Sequence, residues 1–112
     1  MDQISAALTI KALDGLYARS AVTAENIANA GTPGYRPLRV SFEDALSAAA
    51  RGQGPLEAAR AKVDYEPRPA DDPGLRLDLE LANASTTSMR YAALIDVLSR
   101  QMQLQSLATT GN

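Results

Sequence analysis

The feature that most constrains this chain is a stop. A long apolar-periodic stretch runs to Ala30 and is then cut by Gly31-Thr32-Pro33-Gly34-Tyr35. Proline lacks the N–H a helix needs, and glycine costs a helix about 1 kcal/mol relative to alanine, so no helix is expected to cross this point. Pro33 pre-sets φ at the second position of a four-residue turn, and Gly34 supplies positive φ at the third. That predicts a type II turn from Thr32 to Tyr35. Gly31 is expected to close the helix in a left-handed conformation, since it has no Cβ to penalise that geometry. Asn26 and Asn29 stand three apart, so both amides are expected on one face near the unpaired carbonyls of the last turn.

Ahead of the stop, from about Ser5 to Ala30, the pattern is helical. Ile10, Leu13, Tyr17, Ala21, Ala24 and Ile27 form one stripe at three- and four-residue steps, with Lys11, Asp14, Arg19 and Glu25 largely off it. Gly15 inside this helix reads as a tolerable local cost. After the stop, Leu38, Val40 and Phe42 alternate with Arg39 and Ser41, which predicts a short extended segment. Ser41 is a candidate cap for a second helix that carries Phe42 and Leu46 and ends at Gly52. Gly54-Pro55 is expected to open a short helical piece reaching Val63, with extended chain around Val63 and Tyr65.

Pro67, Pro69 and Pro73, set among Asp64, Glu66, Asp71 and Asp72, read as a solvated loop without a site. Leu75, Leu77, Leu79 and Leu81 alternate with charges, the period of a strand. Beyond them Tyr91, Ile95, Leu98 and Met102 make one helical stripe, and Leu94, Val97, Leu104 and Ala108 an adjoining one. Asp96 and Arg100 form an i,i+4 pair on the polar side. The double stripe is wider than one partner helix covers, so a second neighbour is expected.

Composition narrows function. The chain has 112 residues, room for a single domain, and no Cys, His or Trp. Cys/His metal centres, thiol nucleophiles and Ser-His-Asp catalysis are thereby excluded. Asp71-Asp72 is a carboxylate pair only in sequence, and no cofactor, metal site or catalytic residue is expected. A net charge of −2 with no basic stripe makes nucleic acid a poor partner, and no apolar run reaches the length of a membrane span. The start lacks a basic n-region, and Lys11 and Asp14 interrupt any apolar h-region, so no cleaved secretory signal is expected. Most charges fall between Gly31 and Leu81, leaving arms that expect burial around a middle that expects water.

Taken in order, Asn26-Ile27-Ala28-Asn29-Ala30-Gly31-Thr32-Pro33-Gly34-Tyr35 resembles the N-terminal signature of bacterial flagellar axial proteins. Phe42-Glu43-Asp44-Ala45-Leu46 is similar to the aromatic-acidic-acidic segment that follows it there. Thr87-Ser88-Met89-Arg90-Tyr91, with Ala92 and Leu94, looks like the C-terminal motif of the proximal rod subunits of the FlgB type. The family more often has Asp or Asn where Gly31 stands, and the middle of the chain is unmatched.

The resemblance implies a mainly α fold. An N-terminal arm (1–30) and a C-terminal arm (78–112) pair as a coiled coil, and a turn and central region (31–77) lies between them. It implies that Leu77-Asp78-Leu79-Glu80 opens the C-terminal helix, with Asp78 as cap. The implied function is that of a structural subunit of the periplasmic rod. Such a subunit leaves through the flagellar type III apparatus without a cleaved signal, and contacts other rod subunits, further copies of itself and the membrane-ring and export-gate junction at the rod base. The expected assembly surface is Ile10, Leu13, Tyr17, Ala24, Ile27, Tyr91, Ile95, Leu98 and Met102. A different class of reading, a cytosolic helical hairpin that binds one partner helix through the same stripe, fits the pattern too.

Overall fold

Asp2 opens the first helix in the computed structural model, which describes residues 2–67 and 77–110. Its Oδ1 accepts the Ser5 N–H at 2.7 Å, a side-chain cap from which α1 runs Gln3–Ala28. That bond holds the Asp2 carboxyl below the usual carboxylate range. The helix ends by tightening. Asn29 N–H still reaches Glu25 O, but Ala30 N–H turns to Ile27 O and Thr32 N–H to Asn29 O, closures one residue shorter. Gly31 is therefore not the left-handed residue expected of it. Among the described residues, only Gly34 (φ 76°) and Gly52 (φ 70°) have positive φ.

Strand β1 (Leu38–Ser41) pairs antiparallel with β2 (Lys62–Tyr65), Leu38 opposite Tyr65 and Val40 opposite Val63. Between them lie α2 (Glu43–Ala50) and a 3₁₀ turn, Leu56–Ala59. Ser41 does not cap α2. It ends β1, and the cap position belongs to Phe42, whose buried phenyl ring has no acceptor with which to make a side-chain cap bond. Glu43 and Asp44 instead place negative charge in the first turn, which the positive end of the helix dipole favours. The far end closes at Ala50, short of Gly52. Gly52 N–H bonds Ala49 O and Gln53 N–H bonds Ala48 O, the paired closure that a left-handed glycine permits. The expected helical piece up to Val63 is only the 3₁₀ turn, because β1 recruits residues from Lys62 onward into the sheet.

The last helix, α3, runs Leu77–Thr110 and lies antiparallel along α1. Asp78 sits inside its first turn rather than capping it. Leu77, Leu79 and Leu81 alternate as a strand would, yet all three are helical and exposed. The face of α3 with most cover is Glu80, Ala84, Thr87, Tyr91, Leu94, Leu98 and Gln101, in alternating steps of four and three. Long terminal helices with a short helix and extended pieces between them match the fold class expected from the sequence. The outline is elongated, 62 × 28 × 14 Å. The core is small: Leu16, Val40 and Phe42, flanked by Val22, Leu46, Ala61, Tyr91 and Leu94.

Candidate functional site

Asn26 is the centre of the signature segment. It is 1% exposed, and its amide pairs with Leu38 as a neighbouring strand would. Leu38 N–H donates to Oδ1 at 3.0 Å, and Nδ2 donates to Leu38 O at 2.8 Å. The Tyr35 hydroxyl donates to the same Oδ1 at 2.7 Å, and Nδ2 also reaches Glu80 Oε2 at 3.3 Å. Helix, turn, strand and C-terminal helix thus meet on one side chain. Desolvation raises the Tyr35 pKa, and Glu25 and Glu80 add to it. Burial raises that of Glu80 and Glu66 adds to it, against the opposing bond from Asn26.

The two asparagines have different work. Asn29 does what both were expected to do, donating from Nδ2 to Glu25 O at 3.0 Å and accepting from Thr32 Oγ1 at 3.1 Å. Asn26 leaves the helix end and faces the sheet. Beyond them Tyr35 N–H bonds Thr32 O at 3.2 Å across Pro33 and Gly34, and Gly34 has the positive φ that the type II turn requires.

A second junction was not anticipated from the sequence. Arg19 donates from Nη1 and Nη2 to Glu43 at 2.6 and 2.8 Å, and from Nη2 to Val40 O at 2.7 Å. Its guanidinium lies 5.0 Å from the centre of the Phe42 ring. The hydrogen bonds from Arg19 hold the Glu43 carboxyl below its ordinary range despite partial burial. Asn26 and Arg19 together meet three outward backbone groups of β1 that β2 cannot reach, the Leu38 N–H and C=O and the Val40 C=O. Gly15, one helical turn before Arg19, leaves the space in which the Phe42 ring rests. A single glycine within an alanine-rich helix was the available signal, but it identifies no partner.

The α1–α3 seam is polar at one end and apolar at the other. Asn83 Nδ2 donates to the buried Thr23 hydroxyl at 3.3 Å, and the buried Thr87 hydroxyl donates to Asn83 Oδ1 at 3.4 Å. Tyr91 and Leu94 then pack toward Leu16. Beside the seam a groove of about 240 Å³ is lined by Leu16, Tyr17, Ser20, Thr87, Ser88 and Tyr91.

The expected assembly stripe divides. Leu13 is buried, and Ile27, Tyr91 and Leu98 are half-buried in the fold itself. Ile10, Tyr17, Ala24, Ile95 and Met102 remain outside, Tyr17 at 69% and Met102 at 62% exposure. The inward face of α1 is set one position away, on Leu16, Thr23 and Asn26, because the sheet and the polar seam claim that side. Ile4, Met89, Val97, Leu104 and Leu107 extend the exposed apolar surface along both arms.

Asp71 and Asp72 lie outside the described residues, as do Pro69, Pro73 and Leu75. Among the described residues, no group of carboxylates is placed to hold a metal ion, and no helix is long and apolar enough to cross a membrane. The chain matches no protein-family model and no curated protein.

Proposed function

We propose that this chain is a structural subunit of the proximal-rod type of the flagellar basal body, polymerising through its two terminal helices. The observation that carries the reading is the row of uncovered apolar side chains on both arms, with Ile10 and Tyr17 on α1 and Ile95 and Met102 on α3. A monomer rarely leaves so long an apolar strip in water without a partner for it. Each side chain fully buried on assembly contributes about 1.5–3 kcal/mol. The four-three spacing along α3 supports reading the helix pair as a short antiparallel coiled coil. The signature turn then acts by geometry, with Asn26 fixing the hairpin against the arms. Partners on this reading are neighbouring rod subunits, further copies of the chain and the junction at the rod base. Export proceeds without a cleaved signal, and no cofactor or catalysis is involved.

Tyr17→Asp and Met102→Asp test this reading, since both side chains are exposed and neither substitution disturbs the monomer's core. Each variant is expected to keep the wild-type circular dichroism and melting curve while failing to enter purified basal bodies. Normal motility and incorporation for both would overturn the proposal. The groove beside Tyr17 also suits a second reading, a helical hairpin that binds one partner helix. That reading predicts a soluble one-to-one complex in place of incorporation into a sedimentable assembly.

A further inference from the structure

The two edges of the hairpin are treated differently. Glu66 N–H bonds Pro37 O at 2.9 Å, which makes Pro37 and Glu66 a hydrogen-bonded pair. By alternation, Leu38–Tyr65 and Val40–Val63 are the intervening pairs, whose N–H and C=O groups point away from each other. On the β1 side the Leu38 N–H and C=O meet Asn26 and the Val40 C=O meets Arg19. On the β2 side, among the described residues, the backbone groups of Val63 and Tyr65 meet nothing. All four β2 residues are exposed, Val63 at 51% and Tyr65 at 57%. Arg36 lies over the Tyr65 ring at 4.1 Å, a contact made by the side chain and not by the backbone edge.

We infer that this edge pairs with β2 of a second copy, antiparallel and centred on Val63, joining two hairpins into one four-stranded sheet. The argument for this occupant is charge. A two-fold axis at Val63 sets Val63 opposite its own copy as a hydrogen-bonded pair, Lys62 opposite the copy's Asp64, and Asp64 opposite the copy's Lys62. Neither residue forms an ion pair among the described residues. Exposed edge charges ordinarily discourage strand addition. In this register they become two complementary cross-strand pairs at the closer, non-hydrogen-bonded spacing, and any one-residue shift of the axis unmatches them. The contact uses the hairpin, not the arms, so it stands apart from the polymerisation proposed above.

The wild-type chain has no cysteine, so a single introduced thiol reports one position. The experiment combines sedimentation with mild oxidation of cysteine variants. It is run in the Tyr17→Asp, Met102→Asp background to silence the arms. Val63→Cys is expected to form a disulfide-linked dimer, since hydrogen-bonded partners lie about 5.5 Å apart at Cα, within disulfide reach. Lys62→Cys, whose two-fold mate is not opposite it, is expected to cross-link far less. Lys62→Asp is expected to weaken the dimer on the order of ten-fold, and Lys62→Asp with Asp64→Lys to restore it. A species that stays monomeric at high concentration overturns the inference. So does cross-linking indifferent to position, a charge swap that restores nothing, or association that vanishes with the arm substitutions alone.

Discussion

The Phe42 ring occupies the place where a side chain on Gly15 would stand. A Cβ built there would lie 2.5 Å from the ring carbons Cδ1 and Cε1. Glycine to alanine inside a helix ordinarily gains about 1 kcal/mol. Here the added methyl must displace a buried ring that the Arg19 guanidinium also contacts, and overpacking of this kind costs about 1–3 kcal/mol. Gly15→Ala is therefore expected to lower stability in a denaturant titration. Adding Phe42→Leu should recover part of that loss, a coupling that a propensity effect alone would not show.

Asn26→Asp removes the amide donor to Leu38 O and places a charge beside Glu80. A buried carbonyl left without its partner costs about 1–3 kcal/mol. Asn29 is nearer the surface and satisfies one helix-end carbonyl, so Asn29→Ala should cost a few tenths to about 1 kcal/mol. Amide exchange distinguishes them further. The Leu38 N–H, bonded to Asn26 Oδ1, should exchange faster in Asn26→Ala, which removes that acceptor, and be unchanged in Asn29→Ala.

At Gly34 the backbone sits at φ 76°, where a β-branched residue is strongly disfavoured. Gly34→Val is expected to cost about 1–3 kcal/mol through strain alone, since no atom lies within 4 Å of a Cβ there. Pro33→Ala should be milder, because alanine still reaches the required φ. Thermal melts of the two variants give the comparison, and equal tolerance would contradict the turn assignment.

Acid should separate Glu43 from Glu80. Arg19 depresses the Glu43 pKa, so its contribution to stability is present above the ordinary carboxylate pKa and is lost as pH falls through the lowered one. Glu80 has the opposite sign. Its raised pKa means that the folded state favours the protonated form, so this carboxylate detracts from stability once ionised at neutral pH. Glu43→Gln should lower neutral-pH stability and flatten the acid limb of the stability curve. Glu80→Gln, whose amide oxygen can still accept from Asn26, should leave neutral stability equal or higher. Unfolding midpoints measured from neutral to acid pH test both.

The terminal helices and the extended pieces around Val40 and Val63 were legible because periodicity and turn chemistry agree there. Val63 and Tyr65 needed only a partner strand, and Gly34 only a position with positive φ. Leu77, Leu79 and Leu81 have the period of a strand, yet helix was expected beyond Leu77 and α3 begins there, with the leucines left exposed. The misreadings share a cause, tertiary packing that overrides local residue type. Ser41 is a good cap by residue type, yet the burial of Phe42 one position later draws Ser41 into the strand. Gly31 suits a left-handed cap, and the shorter closures through Ala30 and Thr32 remove the need for one. Asn26 was singled out for the right segment and the wrong partner. Its use as a substitute strand depends on Leu38 arriving twelve residues later, a contact that no local pattern encodes.

The polar rungs between α1 and α3 set a length. Sliding α3 by one helical turn would part Asn83 from Thr23 and Glu80 from Asn26, leaving buried polar groups unmatched, so the two helices have one register. Counting outward from those rungs, the start of α1 at Gln3 falls near Gln103, and α3 continues to Thr110 with Leu104 and Leu107 exposed. At about 1.5 Å per residue, α3 outreaches its neighbour by roughly 10 Å. That overhang is measured off at the far end of the molecule, by side chains that never touch it.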